Sequence, residues 1–429
     1  MLQENRGTVS PGPVSPGPVS PGPASPGRAT DGSDVGRTGF PGNSEGASAV
    51  EPLLPDYGGA CLTSVVPALL SRTGGVPDWM PAELVDARQV VLLVLDGIGW
   101  ELLQERRARV PTLAIGDGGP ITSVAPSTTA TALTSLSTGR APAEHGIVGY
   151  RMRIDSPVST SSRGNQTAGR ASEVFNVLRW SSASGDLRRR LPADKFQRFE
   201  AFGGAKPPAV TRGEFASTGF TAAHLGGARL VGWHVPSSLV IQVRDQLRAG
   251  EPFVYAYYDG LDKVAHQLGL GDFYDEELRF VDRLVGDLIE TLPAGGALVV
   301  TSDHGQVEVG GATRLPGEEL LSDVELLSGE GRFRWLHVRP GSTKDVVEAA
   351  EALHGEEAWI RTLDEVIEEG WFGGPLSPEF AKRLGDVALV AKAAVAFQDP
   401  ADTGETLLMG RHGSLTSSEM LVPLLEWSS

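Results

Sequence analysis

Residues 89–96 read QVVLLVLD, a short apolar run that ends on an aspartate. Runs of this length and composition are typical of strands that are buried on both faces of a parallel sheet. Two later runs have the same form, PFVYAYY before Asp259 and ALVVTS before Asp303. In parallel sheets, ligands bind beyond the carboxyl ends of the strands. The acidic ends of these three predicted strands therefore lie where a site would form.

An amphipathic helix is predicted between the second and third runs. Apolar residues recur there at spacings of three and four, at Leu278, Val281, Leu284, Val285, Leu288 and Ile289, before Pro293 and Gly295. A strand, a helix and a strand at this spacing imply a right-handed crossover between parallel strands. The sequence therefore predicts an α/β fold around a largely parallel sheet.

Composition narrows the function. The chain has 429 residues and a formal net charge of −17, which argues against nucleic acid or an anionic membrane as the main partner. Cys61 is the single cysteine, so ligands of a metal must be His, Asp and Glu. No apolar run reaches the roughly 18 residues that cross a bilayer. No secretory signal is visible either, and we expect a cytoplasmic protein.

The sequence also predicts how the chain is organised. Residues 1–47 contain a repeated VSPGP unit and are expected to form a disordered tail, and residues 48–429 are expected to form one folded domain. Two segments, approximately 152–226 and 310–395, interrupt the alternation of strands and helices and are interpreted as insertions that form a cap or flanking layer. The second contains a helix candidate, residues 343–355, and a strand candidate, residues 386–397.

Carboxylates and imidazoles gather in four short motifs. The motifs LVLDGIGW, DGLDKVAHQLG, TSDHGQ and MGRHGS supply Asp96, Asp262, His266, Asp303, His304 and His412. Asp262 and His266 are four residues apart, so on a helix their side chains point the same way. A lone Asp or His is usually structural, but three carboxylates and three imidazoles are enough to hold two divalent cations with an open position on each.

The order of these motifs resembles that of the alkaline phosphatase superfamily, in particular its type I phosphodiesterase and nucleotide pyrophosphatase branch. The matching stretches are LDG, PSTTATALTSLSTGRAPAEHGI, DKVAH, SDHG and RHGS, which span about three quarters of the chain. The resemblance implies a three-layer α/β/α sandwich with inserted cap segments. It also implies a hydrolase of phosphodiester or pyrophosphate bonds in small phosphate esters, with two divalent metal ions, zinc being the expected metal.

Thr129 is the nucleophile that the resemblance implies, and its neighbours Ser127 and Thr128 are not. The residues themselves place Thr129 in the first turn of a helix that Gly139 closes. A threonine hydroxyl is a poor nucleophile unless a cation lowers its pKa, and on its own Thr129 would be interpreted as a capping residue. The expected intermediate is a phosphothreonine, which water then hydrolyses.

The family pattern also divides the ligands between two metals. Asp96, Thr129, Asp303 and His304 surround one, and Asp262, His266 and His412 surround the other. His145 matches the family too, as a residue that supports the site without binding metal. His224, His234, His337 and His354 have no matching context and are interpreted as surface or packing residues. Lys263 and Arg411 lie beside ligands and are candidates to face phosphate.

Two departures from the family keep alternatives open. Ala132 stands where the branch usually has an asparagine that donates to the phosphoryl oxygen, and Ala130 stands where an aromatic residue often stacks on a base. Rival hypotheses are a phosphomonoesterase or phosphonate hydrolase of the same superfamily, and a metal-binding homologue without activity. The organic part of the substrate and the oligomeric state stay open.

Overall fold

The structure is a computed structural model that describes residues 51–156, 171–401 and 408–429. The predicted tail, residues 1–47, lies outside the described residues. The strands are β1 Gln89–Leu95, β2 Asp117–Thr122, β3 Arg151–Ser156, β4 Ala171–Asn176, β5 Ser181–Ser182, β6 Gly185–Asp186, β7 Pro208–Arg212, β8 Arg229–Trp233, β9 Phe253–Tyr258, β10 Gly296–Thr301, β11 Val307–Glu308, β12 Thr313–Arg314, β13 Val324–Glu330, β14 Phe333–Val338, β15 Ala358–Thr362, β16 Val387–Ala391, β17 Ala396–Phe397, β18 Gly410–Arg411 and β19 Leu421–Ser428.

Helices fill the spaces between these strands. The α-helices are α1 Leu62–Ser71, α2 Trp100–Glu105, α3 Pro111–Ala114, α4 Thr129–Thr138, α5 Pro142–His145, α6 Ala193–Phe196, α7 Gly219–His224, α8 Pro236–Arg248, α9 Gly260–Leu268, α10 Asp272–Ile289, α11 Glu318–Leu321, α12 Thr343–His354, α13 Leu363–Glu368, α14 Pro378–Ala381 and α15 Ser417–Met420. Short 3₁₀ turns occupy Arg72–Gly74, Ala82–Asp86, Arg107–Arg109, Ala201–Gly204 and Gly213–Ser217. Within the described ranges, every helix is too short or too polar to cross a membrane.

A seven-stranded central sheet has the order β2-β19-β10-β1-β9-β7-β8. Every adjacent pair is parallel except the two pairs that contain β19. The three strands predicted from their apolar runs, β1, β9 and β10, are confirmed, and β1 lies between the other two. The carboxyl ends of these three strands are therefore neighbours at one edge of the sheet.

The central sheet is covered by helices on both faces, which confirms the predicted α/β/α sandwich. Val90, Leu92 and Val94 of β1 pack into the apolar core that contains α1 and α4. The alternate residues of β1 pack instead into a second core that contains α8, α9 and α10. The predicted amphipathic helix is α10, and its residues Leu278 and Val281 belong to this second core. Both faces of β1 are therefore apolar, as its sequence predicted.

A second sheet lies within the predicted insertion 310–395. It has four strands in the order β13-β14-β16-β15, and the predicted helix and strand candidates there are confirmed as α12 and β16. Phe333 and Trp335 of β14 pack into the core of the central sheet. Leu336 and Leu389 lie in a separate cluster on the opposite face, together with Val346 of α12. The segment is therefore a layer that is fixed to the main core by one face.

The first predicted insertion, 152–226, is wrong in its extent. Its beginning forms a small antiparallel sheet of β3, β4, β5 and β6, but β7 within it is a strand of the central sheet, between β8 and β9. The sequence of β7, PAVTR, is short and begins with proline, so it lacks the long β-branched run that identified β1. Ala209 and Val210 of β7 are nevertheless fully buried, one in each core. The insertion therefore ends before Pro208.

Candidate active site

The predicted ligands converge at the carboxyl edge of the central sheet. Asp96 directly follows β1, Asp303 lies two residues after β10, and Asp262 lies in the first turn of α9, which follows β9. Gly97 makes their approach possible, because it has a φ of 81° and a Cβ there would lie 3.1 Å from the Cβ of Asp262. The backbone N–H of Asp262 donates to the carbonyl oxygen of Asp96 at 3.1 Å.

Three of the ligands form the buried group, Asp96, Asp303 and His304. The Nε2 atom of His304 lies 3.4 Å from Asp96 Oδ1 and 3.4 Å from Asp303 Oδ2. One ligand atom from each residue lies within 4.8 Å of the other two. Thr129 Oγ1 joins this group at 3.1 Å from His304 Nε2. The four residues are those that the family pattern assigned to one metal.

In each carboxylate of the buried group, one oxygen accepts hydrogen bonds and the other oxygen faces the cluster. Asp303 Oδ1 accepts from the N–H groups of Gly97 and His304, at 3.3 and 3.1 Å. Asp96 Oδ2 accepts from the phenol of Tyr257. Asp96 Oδ1 and Asp303 Oδ2 are buried and have no hydrogen-bond partner among the described residues. Two orphaned carboxylate oxygens that face one imidazole nitrogen are the arrangement that a bound cation satisfies.

The other ligands form the edge group, Asp262, His266 and His412. Asp262 Oδ1 lies 3.3 Å from His266 Nε2 and 3.7 Å from His412 Nε2. The ring of His412 stacks on that of His304, with centroids 3.5 Å apart, so the two groups are in contact. The side chains of His266 and Asp262 are 22% and 14% exposed, whereas those of Asp303 and His304 are fully buried. The edge group therefore borders the open space above the site.

All three cluster imidazoles have the same orientation. The Nδ1–H groups of His266, His304 and His412 donate to backbone carbonyl oxygens, of Gly410 at 2.7 Å, Gly305 at 3.0 Å and Ser127 at 3.0 Å respectively. Each Nε2 atom therefore directs a free electron pair at the cluster, which is the usual arrangement of metal-binding histidines.

Electrostatics in the cluster also fit a cation. Burial raises the pKa of Asp96 well above its usual value, and the charges of Asp303 and Asp262 raise it further. Burial likewise raises the pKa of Asp303. Burial lowers the pKa of His412, and the charges of His304 and His266 add to this. Because two carboxylates that resist ionisation lie close to an imidazole, that of His412, that resists protonation, a divalent cation is the charge that stabilises the set. Nitrogen and oxygen donors of this kind suit zinc and similar ions.

Thr129 is placed differently from its two hydroxyl neighbours. Ser127 is fully buried and its hydroxyl donates to the carbonyl oxygen of Ser414 at 2.6 Å. Thr128 is the N-cap of α4, and Thr129 is the first residue of this helix. The helix closes at Gly139 in the left-handed conformation, as predicted. Of the three residues, Thr129 is the one whose hydroxyl contacts the buried group.

The remaining histidines lie outside the cluster. His145 accepts from the N–H of Ile147 at 3.1 Å and contacts the hydroxyl of Ser135 at 2.8 Å, so both ring nitrogens are engaged beneath α4. Burial lowers its pKa to about 3. His337 contacts a serine hydroxyl, and His354 donates to a backbone carbonyl. His234 is exposed.

Two cavities meet at Thr129. The larger, of about 610 Å³, is called the arginine cavity here, because Arg151, Arg179 and Arg411 line it beside the edge group. The smaller, of about 250 Å³, is called the phenylalanine cavity and is lined by Phe215 and Phe220. It is mostly apolar, and His224 stacks on Phe220 within it.

The two predicted basic neighbours of ligands have different surroundings. Lys263 lines the phenylalanine cavity, and its Nζ lies 2.6 Å from Asp259 Oδ2. Asp259 also accepts from Arg212 Nε at 2.6 Å, so Lys263 shares this carboxylate with a second cation. Arg411 is buried and lines the arginine cavity. Ala132 is fully buried in the core and offers no donor at its position.

Sequence reasoning missed the residues that support and line the site. Tyr257, which donates to Asp96, lies in an aromatic strand and was read only as part of a buried run. Arg179 lies in the segment that was interpreted as an insertion, and Arg151 directly precedes it. Their only sequence signal is positive charge in an acidic chain, and this does not single them out.

The family match, together with the sandwich fold and the ligand cluster at its carboxyl edge, identifies the chain as a member of the alkaline phosphatase superfamily, a class of metal-dependent hydrolases. Within this class, the model of the family "Type I phosphodiesterase / nucleotide pyrophosphatase" matches residues 90–415, and the chain belongs to this family. A search of curated protein sequences found no significant match.

Solved structures share the fold at low sequence identity. Murine ectonucleotide pyrophosphatase/phosphodiesterase 5 is 17% identical with a TM-score of 0.57, over 80% of this chain and 88% of that one. The human protein of the same name is 16% identical with a TM-score of 0.57, over 79% and 88%. Phosphonoacetate hydrolase from Sinorhizobium meliloti 1021, in complex with phosphonoformate, is 18% identical with a TM-score of 0.56, over 80% and 90%. These similarities support the same fold.

Proposed function

We propose that the chain hydrolyses phosphodiester or pyrophosphate bonds of small substrates, with Thr129 as nucleophile and two divalent cations, zinc being the expected metal. One observation carries the proposal. The hydroxyl oxygen of Thr129 lies 3.1 Å from His304 Nε2, in the group where two carboxylate oxygens lack hydrogen-bond partners. By the family pattern, the buried group with Thr129 would hold one cation, and the edge group would hold the other.

The reaction has two steps. In the first, the Thr129 hydroxyl loses its proton to solvent and its oxygen attacks phosphorus. The new P–O bond forms as the bond to the leaving oxygen breaks, and the leaving group departs with the electron pair. In the second, water attacks the phosphothreonine, the P–O bond to water forms as the P–O bond to Thr129 breaks, and a proton released by the water returns to the threonine oxygen. Cations held by the two ligand groups would supply Lewis acidity, which would lower the pKa of the hydroxyl and neutralise charge on the leaving oxygen. The backbone N–H groups at the start of α4 favour the phosphoryl oxygens.

The comparisons support a threonine nucleophile. An inactive threonine-to-alanine variant of the murine ectonucleotide pyrophosphatase/phosphodiesterase 5 has been solved in complex with AMP, at 17% identity to this chain and a TM-score of 0.55. The retained ligand cluster argues against an inactive homologue, since a site without turnover has no need of an accessible hydroxyl beside two ligand groups.

A phosphonate hydrolase of the same superfamily is the second candidate. Alanines stand at positions 130 and 132, where the phosphodiesterase branch often has an aromatic residue and usually has an asparagine. Both alanines are fully buried. The phosphonoacetate hydrolase matches as well as the phosphodiesterases do, with TM-scores of 0.56 and 0.57. A phosphonate carbon would then take the place of the leaving oxygen.

The test combines metal analysis, a substrate panel and a pair of threonine variants. Zinc-loaded protein is assayed with a diester, a monoester, a pyrophosphate and a phosphonate. Thr129→Ala should reduce turnover by about 10⁴-fold or more while retaining both metals. Thr138→Ala, at the far end of the same helix, should leave turnover unchanged. Brief exposure of the wild type to substrate, followed by acid quenching, should label Thr129. Full activity of Thr129→Ala would show that another group is the nucleophile.

A further inference from the structure

The arginine cavity has a charge opposite to that of the chain. The chain carries a net charge of −17, yet Arg151, Arg179 and Arg411 line this one cavity. The acidic residues that line it are Asp262, a predicted metal ligand, and Glu330. With Asp262 assigned to a cation, the three arginines outnumber the two remaining carboxylates, those of Glu330 and of Asp399, which pairs with Arg151. A concave surface of one sign concentrates counter-charged ligands.

The three guanidinium groups are held at different depths. Arg411 is buried and follows directly on from Gly410, next to His412 of the edge group. Gly331 leaves space for it, because a Cβ there would lie 2.6 Å from a terminal nitrogen of Arg411. Arg151 is largely buried, with a nitrogen 3.6 Å from Asp399 Oδ2.

Arg179 completes the cavity on its outer wall. It is exposed, and its backbone N–H donates to Asn176 Oδ1 at 2.9 Å. The amide nitrogen of Asn176 donates in turn to the hydroxyl of Tyr150 at 2.7 Å. These two hydrogen bonds fix the turn that carries Arg179 to the residue that precedes β3. Among the described residues, the Arg179 side chain forms no ion pair within 4.0 Å. Its guanidinium is available to a ligand in the cavity.

We propose that Arg151, Arg179 and Arg411 form a subsite for a second anionic group of the substrate, a carboxylate or a phosphate. The inference rests on the proposed function and specifies its substrate class: phosphorus esters or anhydrides whose arm on the arginine side carries another negative charge. Guanidinium groups bind both anions through paired hydrogen bonds. The reacting phosphorus lies at Thr129, where both cavities meet, and the mostly apolar phenylalanine cavity offers no comparable site for an anion.

The test uses three diesters that release the same chromophore. They are ethyl p-nitrophenyl phosphate, its 2-carboxyethyl analogue and its 2-phosphonooxyethyl analogue, which differ in the end of the second arm: uncharged in the first, a carboxylate in the second and a phosphate in the third. For the zinc-loaded wild type, at least one anionic analogue should have a kcat/KM about tenfold or more above that of the ethyl ester at low salt. This ratio should fall as salt is added. Whichever analogue gains more identifies the anion as carboxylate or phosphate.

Variants then assign the preference to the cavity. Arg179→Ala and Arg151→Gln should each bring the ratio of anionic to neutral substrate towards one. Arg248→Ala removes the same charge from an exposed position of α8 and should keep the ratio of the wild type. If the wild type hydrolyses the ethyl ester as well as both anionic analogues, the subsite is wrong and the proposed function stands. The subsite is also wrong if both cavity variants keep the wild-type ratio. If no ester, anhydride or phosphonate is hydrolysed, the proposed function itself fails.

Discussion

The buried group and the edge group have similar donors but very different access to solvent. Asp303 and His304 are fully buried and Asp96 is 3% exposed, whereas His266 is 22% exposed and lines the arginine cavity. The buried carboxylates are oriented from outside the group, by Tyr257 and by backbone N–H groups. The buried group is therefore fixed by the fold, whereas the edge group borders the arginine cavity.

This difference in exposure to solvent has an electrostatic consequence. Taking Asp96 and Asp303 out of water raises the pKa of each carboxyl, and their mutual proximity adds to the effect on Asp96. A buried charge that lacks a counter-charge destabilises the fold, so the buried group must be neutralised by protons or by a cation. Solvent screens the edge group in part, so we expect this group to tolerate the loss of one ligand better than the buried group does.

The largest expected effect follows from changing the buried group. Asp303→Asn keeps the shape of the side chain and removes one charge that a cation needs. We expect kcat/KM to fall by about 10³-fold or more, with loss of one metal equivalent per chain by elemental analysis. Asp245→Asn, at an exposed position of α8, should keep the activity and both metals. A fully active Asp303→Asn protein with two metals would remove the distinction between the groups.

A smaller effect is expected at the edge group. His266→Ala leaves Asp262 and His412 in place, and its side chain is the most exposed of the six ligands. We expect a loss of about 10- to 100-fold in kcat/KM at limiting zinc, and partial recovery when zinc is in excess. The exposed His234→Ala protein serves as control. Loss as deep as that of Asp303→Asn, without recovery at any zinc concentration, would show that both groups are equally rigid.

Much of this arrangement could be predicted from sequence because it depends on local order. Asp96, Asp262 and Asp303 each follow an apolar run, and parallel topology places such ends together whatever lies between them. In the same way, the four-residue spacing of Asp262 and His266 predicted that their side chains point in the same direction from a helix. The sequence-predicted ligands could therefore be named, and the structure brings all of them together.

Other features depend on contacts between distant segments, and the sequence did not predict them. Tyr257 looks like one more aromatic residue of a buried strand, and only the packed sheet shows that its hydroxyl reaches Asp96. β7 was assigned to an insertion because five residues beginning with proline give little strand signal. The arginine cavity joins Arg151 and Arg411, which lie far apart in the chain, so no local pattern could connect them.

Tyr257 gives a second way to examine the buried group. Tyr257→Phe removes the donor that holds Asp96 Oδ2 while keeping the aromatic packing. We expect zinc affinity at the buried group to weaken by about tenfold, because the carboxylate loses its fixed orientation. The affinity is measured by competition with a chromogenic chelator. Tyr258→Phe, which loses a hydrogen bond to Glu277 instead, should leave zinc affinity unchanged. Equal weakening in both variants would mean that general loosening of β9 is the cause.

The smallest expected effect concerns the stability of the fold at low pH. It distinguishes the contribution of a histidine outside the site from that of the ligands. His224 belongs to neither group, and burial lowers its pKa to about 4 from an ordinary value of 6.5. The unfolded chain therefore takes up this proton first as the pH falls, and the folded state loses stability between about pH 6.5 and pH 4. The loss at pH 5 is on the order of 2 kcal/mol.

The test uses His224→Phe, which keeps a ring against Phe220. The free energy of unfolding of the zinc-loaded protein, measured with denaturant, should change less between pH 7 and pH 5 in this variant than in the wild type. The acid sensitivity that persists in this variant then belongs to other groups, the ligands among them. An unchanged pH dependence would mean that His224 does not contribute and that the whole effect arises elsewhere.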